Sequence, residues 1–523
     1  MTSANTSLKI ALICPPPAQM DPWMKRLAER ICLAPGLQLA VLIQTQEPGA
    51  KKTAFAAWWR IEEKLAGRAV AADCPQFDAL LAQLPILTTN DPDGISASGL
   101  DVIIDLTSRR GQDVNSSLSR QGVWGLDFLG DVRGASSVAA ILKPDRLIEI
   151  ALIQRLAENP LPQAIAAATL NTKFIAARNH LYICEKSVTL IMRELTRLRQ
   201  FGRTSIEMET LNSAPRVPGV ISGLRYAAQL VRNAATRVLE KFGTKLKLRP
   251  GLFYLQTVEG DPLSIDPNTM KMHAVPGNAY YADPFLWASG GEMFCFFEVY
   301  DYDTGHGHLS AGKVVNGRLT DVRQIINCDY HMSFPFLFEQ DGELFMLPET
   351  CGANRIEIWK CAEFPYEWER HRTVLDDVVA ADSSIVEIDK EWWLFTNIST
   401  DVFGEMNSEL HVYKISDPLM STLEPHPLNP VVFDARTARN GGRVFEQNGN
   451  LYRATQRNSH GLYGYGLNLM RIDHISMTKY EETLVRRIDG NFRNGVIGCH
   501  HLDSRDGLTI IDVRKRVGGW SKN

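Results

Sequence analysis

Two aspartates, Asp283 and Asp382, hold the same position in a repeated hairpin, each eight residues before the turn residue of its copy. Two carboxylates carried into one pocket split their pKa values, one accepting a proton or steadying positive charge and the other acting as a tuned partner. Near the same position in the other copies stand Ser333 with His331 before it, Arg443, and His500 or His501. A second polar set, Glu298, Glu349, Asn397 and Gln456, falls seven residues after each turn. Asp283, Asp382 and Glu349 are therefore the candidate catalytic groups, with His331, Glu298, Gln456 and His500 as candidate substrate contacts. A structural reading competes: Asp-Pro at a strand start also serves as a turn or cap, and repeat-related polar residues also staple blade to blade.

Arg436, Arg439 and Arg443 crowd a glycine-rich strand entrance, and Arg453 follows. Their forked donors suit the phosphate or carboxylate of a ligand, so Arg439, Arg443 and Arg453 join the candidate contacts; the alternative is a solvated face. His306 and His308 have a two-residue spacing that could chelate a metal from a strand edge, against the plainer reading of a mobile glycine-rich loop. No metal or cofactor is expected.

The element that must carry these groups is an apolar strand, a tight turn and a second aromatic strand ending in a polar residue. Copies run from Asp283 through Gly291 to Glu298, Phe334 through Gly342 to Glu349, Asp382 through Lys390 to Asn397, and Gly441 through Gly449 to Gln456. A weaker copy runs from Cys499 through Gly507 to Asp512. Successive turns are 51, 48, 59 and 58 residues apart, the size of a four-stranded blade with its connections. The spacing predicts a five-bladed β-propeller over residues 251–523, built of five successive units; a β-sandwich would not return one turn at a steady interval.

Residues 1–200 alternate strand-like and helix-like runs, as in an α/β domain of Rossmann-like type. Lys9–Cys14, Leu37–Ile43 and Val102–Leu106 read as buried strands, and Asp21-Pro22 reads as the cap and first turn of a helix. The loop after the third of these strands is the usual ligand position of open α/β sheets. No glycine-rich phosphate loop follows any of them, which argues against a dinucleotide or P-loop site. Residues 201–250 form a linker, beginning at the Pro-rich stretch from Ser213. Between Val220 and Pro250 it carries seven basic residues and one acid, with Ile221, Leu224, Ala228, Val231, Ala235, Val238 and Phe242 at helical spacing. Two readings of this basic amphipathic helix stay open: packing between domains with a solvated basic face, or contact with an anionic membrane surface.

The 523 residues exceed one compact core, and a net charge of −4 removes the global attraction a nucleic-acid binder uses. No apolar run of about 18 residues and no signal core appears, so the expected location is the cytoplasm, or its membrane surface. Nine scattered cysteines without a CxxC read as buried thiols. Eleven of twelve histidines lie after residue 250, which places imidazole chemistry in the second half.

Asp283-Pro-Phe, His331-Met-Ser-Phe-Pro-Phe-Leu-Phe-Glu339, Leu347-Pro-Glu-Thr350, Asp382-Ser-Ser-Ile, His426-Pro-Leu-Asn-Pro430 and Ala438-Arg-Asn-Gly-Gly442 carry a family resemblance. Over roughly residues 250–523 the chain resembles the N-terminal domain of plant glucosamine inositolphosphorylceramide transferases, also found in bacterial proteins behind a formyltransferase-like domain. That domain is similar to the five-bladed fold of arabinanases and β-xylosidases, which implies carbohydrate ligands. The resemblance implies an Asp base on the first blade, matched by Asp283, and a pKa-tuning Asp on the third, matched by Asp382. Where the fourth blade should offer a Glu acid, this sequence has Asn440-Gly-Gly-Arg443, leaving Glu349 as the substitute. Arginine there favours a phosphorylated leaving group, as in transfer from a nucleotide sugar.

Residues 1–200 resemble a formyltransferase in outline only. Such an enzyme needs an Asn, a His and an Asp about the formyl group. The single histidine of this half is His180, in Arg178-Asn-His-Leu181, past the loop where the family's histidine belongs, with Asp127 or Asp131 as remnants. A degenerate binding or docking module is expected. The chain is thus expected to be a carbohydrate-active enzyme of glycan or glycolipid assembly that transfers a sugar, with a sugar or nucleotide sugar as substrate and no nucleic-acid partner. A non-catalytic glycan-binding scaffold, a glycoside hydrolase and a residual formyltransferase are the alternatives.

Overall fold

The computed structural model of the chain describes residues 7–45, 54–66, 77–107, 114–129, 132–159, 161–204, 218–245, 252–273, 275 and 279–515. Most of the Pro-rich linker, with Cys74, Asp131, Lys247 and Arg249, lies outside them. The chain separates into two compact units, residues 1–233 with 400–403, and residues 234–399 with 404–523.

The first unit holds a seven-stranded mixed sheet. Its strands are β1 (Leu8–Cys14), β2 (Leu37–Gln44), β3 (Ile86–Thr88), β4 (Val102–Asp105), β5 (Val123–Leu126), β6 (Leu147–Arg155) and β7 (Gln163–Asn171), in the order β3-β2-β1-β4-β5-β6-β7. The β1, β2 and β4 runs are apolar because both faces are covered, the usual signature of a parallel sheet. β6 and β7 extend it as an antiparallel hairpin, which the sequence analysis does not anticipate. Helices α1 (Pro22–Leu33), α2 (Ala54–Ala66), α3 (Phe77–Leu81), α4 (Pro92–Ala97), α5 (Ala135–Leu142), α6 (Ala176–Phe201) and the first part of α7 (Val220–Lys245), up to Asn233, belong to the same unit. α1 begins at the expected place, but Asp21 makes no side-chain capping bond; its carboxylate is 2.9 Å from Arg133 instead. No helix among the described residues is long and apolar enough to cross a membrane. The described cysteines are all free.

The second unit is a five-bladed β-propeller. Each blade starts from an inner hairpin: Ala279–Ser289 with Glu292–Asp301, Ser333–Gln340 with Glu343–Glu349, Ala380–Ile388 with Glu391–Ile398, Asn440–Gln447 with Asn450–Ser459, and Leu502–Arg505 with Leu508–Lys515. All five turns have two residues, and both residues of every turn have positive φ: Gly290 and Gly291, Asp341 and Gly342, Asp389 and Lys390, Asn448 and Gly449, Asp506 and Gly507. Positive φ at both positions gives the turn the twist its strands need, which explains the recurring Gly, Asp and Asn. The inner strands neighbour one another round the ring, blade one lying beside blades two and five. Aromatic residues such as Phe285, Phe296, Phe334 and Phe336 fill the space between blades one and two.

The expectation of five successive units needs correction at the fifth. Its outer half comes from the start of the domain: Leu508–Lys515 pairs antiparallel with Leu252–Glu259, followed by Lys271–Met272. The last strand and the first therefore close the ring.

Lys390 is the one turn residue of the ten with neither Gly, Asp nor Asn chemistry, at φ 65° and exposed. A left-handed residue with a Cβ costs about 1–2 kcal/mol, partly offset by glycine's entropy loss of about 0.5–1 kcal/mol. Lys390→Gly is therefore expected to stabilise the protein by roughly 0.5 kcal/mol, read as a rise in denaturation midpoint in urea; a fall would contradict the turn assignment.

Candidate active site

A backbone irregularity common to four blades aims the site. The pairing of each inner hairpin skips between Ala282 and Phe285, Ser333 and Phe336, Ala381 and Ser384, and Asn440 and Val444. Within each skip one residue turns left-handed: Asp283 at φ 49°, Phe334 at 48°, Asp382 at 47° and Gly442 at 145°. A bulge of this kind re-aims a side chain out of the strand's alternation. Asp283 and Asp382 therefore occupy equivalent positions, while blade two spends its position on the buried Phe334 and blade four on a glycine.

These aspartates line one cavity of about 330 Å³, together with Glu298, Glu349, His331, Ser333, Arg439 and His500, and with Phe253, Tyr280, Tyr302, Tyr463 and Arg514. Seven of the residues proposed from sequence thus meet here: Asp283, Asp382, Glu349, Glu298, His331, Arg439 and His500. Three do not line the cavity. Arg443 sits within its bulge, one residue after the left-handed Gly442, with its Nε 2.5 Å from Asp503 and its guanidinium over Phe285 and Phe336. Arg453 is fully buried, held by Glu482, Asn440 and the Thr437 and Ala438 carbonyls, a blade staple. Gln456 stands behind the wall and donates to Asp382 Oδ2 at 2.9 Å. Asn397 is likewise a staple, bonded to the Glu409 and Ala438 carbonyls and the Asn440 amide.

Two groups of charges divide the cavity. In one, Arg439 bridges two carboxylates, its Nε 2.5 Å from Asp382 Oδ2 and its Nη2 3.3 Å from Glu349 Oε2. Glu349 also accepts from the Asp382 amide and the Cys351 thiol. Burial pushes the Asp382 carboxyl well up, with Arg439 opposing and Glu349 and Asp283 adding to the rise. Arg439, one of the arginines expected to meet a phosphate or carboxylate of a ligand, is thus already engaged by the protein's own carboxylates, and Arg443, expected to favour a phosphorylated leaving group, is held by Asp503.

In the other group, Asp512 Oδ1 accepts from the amides of His500 and His501, and its Oδ2 is 2.5 Å from His500 Nδ1. Burial alone would lower the His500 pKa, but Asp512 outweighs it and lifts the imidazole to about 9. Asp283 Oδ1 lies 3.7 Å from His500 Nε2 and 3.5 Å from His501 Nδ1. Burial would raise its pKa; the neighbouring His501 and His500 and the Arg439 charge overcome that and hold it at about 2. Asp283 is therefore an anion at neutral pH.

Glu298 has the opposite fate. Burial, reinforced by Asp283, Glu349 and Asp512, raises its carboxyl well above the usual range. His331 accepts the Gly307 amide at Nδ1, which leaves its proton on Nε2, 3.5 Å from Glu298 Oε1. Among the described residues, Asp283, His500 and Asp512 form the one group whose ligand atoms could hold a metal ion. His306 and His308 belong to a strand, His306–Val315, rather than a loop.

The sequence reading overlooked Phe253, Tyr280, Tyr302, Tyr463, Arg514, Asp512 and His501's role beside Asp283. Asp512 carried a signal, being the polar end of the fifth copy. In the first unit, His180 is buried against Trp59 and Phe128 with Cys184 3.8 Å away, and burial drives its pKa down to about 3. Asp127 accepts the Ala151 amide and holds a turn.

His500 ties the site to stability. Its pKa is raised from an ordinary 6.5 to about 9 in the folded protein, so its contribution is complete below pH 6.5 and vanishes as pH climbs through 9. The expected loss is on the order of 3 kcal/mol across that window. Urea titrations at successive pH values should show it in the wild type and show a flatter profile in His500→Gln; identical profiles would refute the His500–Asp512 pairing.

Residues 265–506 match the family model described as "Glucosamine inositolphosphorylceramide transferase 1, N-terminal". The protein of that name from Oryza sativa subsp. japonica is 32% identical over 255 residues, 47% of this chain and 32% of that one. Its namesake in Arabidopsis thaliana is 33% identical over 239 residues, 44% of this chain and 31% of the other. This chain therefore spans about a third of the length of the curated relatives it matches. Among solved structures, the α-L-arabinofuranosidase of Lactobacillus brevis is 16% identical, covering 50% of this chain and 89% of that one at a TM-score of 0.35. Over residues 265–506, this chain resembles the N-terminal domain of the glucosamine inositolphosphorylceramide transferases, and that stretch lies within its five-bladed propeller.

Proposed function

We propose that the propeller cavity is a sugar-transfer site of glycan or glycolipid assembly. One observation carries the reading: a single hollow holds Asp283, whose carboxyl is held down at about 2, beside Glu298, whose carboxyl burial raises well above the usual range. Exchange at a sugar's anomeric carbon needs such a pair, one group donating a proton to the departing oxygen and the other taking a proton or steadying the positive carbon. Asp283 is the anion, oriented by His500 and His501. Glu298 supplies the proton, with the His331 Nε2 proton beside it, because both Glu349 oxygens are occupied by Arg439, the Asp382 amide and Cys351. Asp382 and Arg439 set the field around the sugar, and the tyrosine rims of Tyr280, Tyr302 and Tyr463 supply flat surfaces for it to stack on. The relatives' name, a transferase acting on inositolphosphorylceramide, supports a lipid-linked acceptor.

A second reading, glycan recognition without turnover, is favoured by the length of chain shared: the match covers about a third of each relative, so the propeller can serve as the recognition part of a longer enzyme.

The two readings separate on Asp283→Asn and Glu298→Gln. With nucleotide-sugar donors and a glycolipid acceptor, followed by mass spectrometry, each variant is expected to lose at least about 100-fold in turnover while calorimetric sugar binding persists. Sugar binding by the wild type with no turnover of any donor selects the recognition reading, and neither binding nor turnover overturns both.

A further inference from the structure

Most basic side chains in the cavity wall are already committed. Arg439 is held by Asp382 and Glu349, His500 by Asp512 with Asp283 beside it, and His331 by the Gly307 amide and Glu298. Arg514 lines the same cavity and is not. Its Nε is buried without a hydrogen-bond partner, and no carboxylate among the described residues pairs with its guanidinium.

Strand register explains how Arg514 reaches the wall. Side chains alternate along Leu508–Lys515, so Asp512 and Arg514 stand on one face of the closing strand. Asp512 meets His500, and Arg514, one step on, is paired in register with Phe253. Phe253 stacks on His500 at 4.5 Å, and its ring centre lies 5.9 Å from the Arg514 guanidinium. Asp283, His500, Phe253 and Arg514 thus follow one another by contact along the wall.

Charge selects what Arg514 can receive. A ligand anion that drew Arg439 away would strand Asp382 and Glu349, and one that drew His500 away would strand Asp512. Arg514 can be engaged without uncovering a buried carboxylate, and its forked donors match the paired oxygens of a phosphate. The anionic Asp283 repels such a group, which leaves the Arg514 end of the wall to hold it.

We propose that Arg514 is an anion subsite of the cavity, binding the phosphate group of a phosphorylated sugar or polyol in preference to its neutral parent. The proposal rests on the reading of the cavity as a sugar site.

The full chain is titrated by calorimetry with glucose, galactose, N-acetylglucosamine and myo-inositol, with the 1-phosphate of each, and with inorganic phosphate alone. At least one phosphorylated compound is expected to bind about tenfold or more tighter than its neutral parent, with the preference eroded by salt. Arg514→Gln should abolish that preference, and Arg514→Lys, which keeps the charge and loses the fork, should retain part of it. Should Arg514→Gln fail to fold by circular dichroism, Arg514→Met, which keeps an apolar stem against Phe253, takes its place. A preference among the sugar phosphates places the phosphate on the leaving group, and one for inositol 1-phosphate places it on the acceptor. Wild-type binding of neutral and phosphorylated compounds alike, or a preference that survives in Arg514→Gln, overturns the proposal and leaves the sugar-transfer reading standing. Inorganic phosphate bound through Arg514, with no sugar bound in either form, keeps the anion subsite and overturns the sugar-transfer reading. Binding of nothing overturns both.

Discussion

The pairing of Leu508–Lys515 with Leu252–Glu259 is the constraint on which the propeller and its cavity rest. Without it the fifth blade keeps only the strands Val496–Gly498, Leu502–Arg505 and Leu508–Lys515, and the ring has two free edges. The same pairing also equips the site. It brings in Phe253, which stacks on His500 at 4.5 Å, and fixes Asp512 and Arg514 on the closing strand. The negative charge of Asp283 is therefore maintained from the seam of the ring, through Asp512 to His500 and His501.

Burying this many carboxylates together is unfavourable unless cations and donors answer each one. The cavity answers them unequally. Asp382 and Glu349 share one guanidinium, Asp283 has two imidazoles, and Glu298 has His331 and Tyr280 nearby. That inequality separates the protonation states of groups that are chemically almost the same, and it is the feature most relevant to acid–base work. It also explains why Arg439 is so deeply held: removing it would strand two buried carboxylates at once.

The ring and half of the cavity were legible in the sequence because both are written in local patterns. A two-residue turn with left-handed φ demands Gly, Asp or Asn, and the polar residue closing each second strand repeats at a fixed distance, so Glu298 and Glu349 could be found by counting. Counting fails where the backbone departs from alternation. Arg443 and Asp382 are both polar residues near the start of a strand, but the left-handed position of blade four is taken by Gly442, pressed against the Leu502 carbonyl, and Arg443 reaches Asp503 instead of the cavity. Arg453 and Gln456 fall on strands whose outward or inward sense depends on neighbouring blades, and a closing strand drawn from some 250 residues away leaves no local trace at all. In the first unit, the β6–β7 hairpin was missed for a related reason: nothing in its alanine-rich second strand announces pairing.

The left-handed backbone at Asp283 and Asp382 bears on how this site can be probed. Asparagine tolerates that conformation nearly as well as aspartate and keeps the side chain's outline, so it removes charge and little else. Alanine has no such tolerance and would add backbone distortion to the missing carboxylate. An alanine scan across this cavity would thus overstate the chemical weight of its two aspartates relative to Glu298 and Glu349, which sit in ordinary extended backbone.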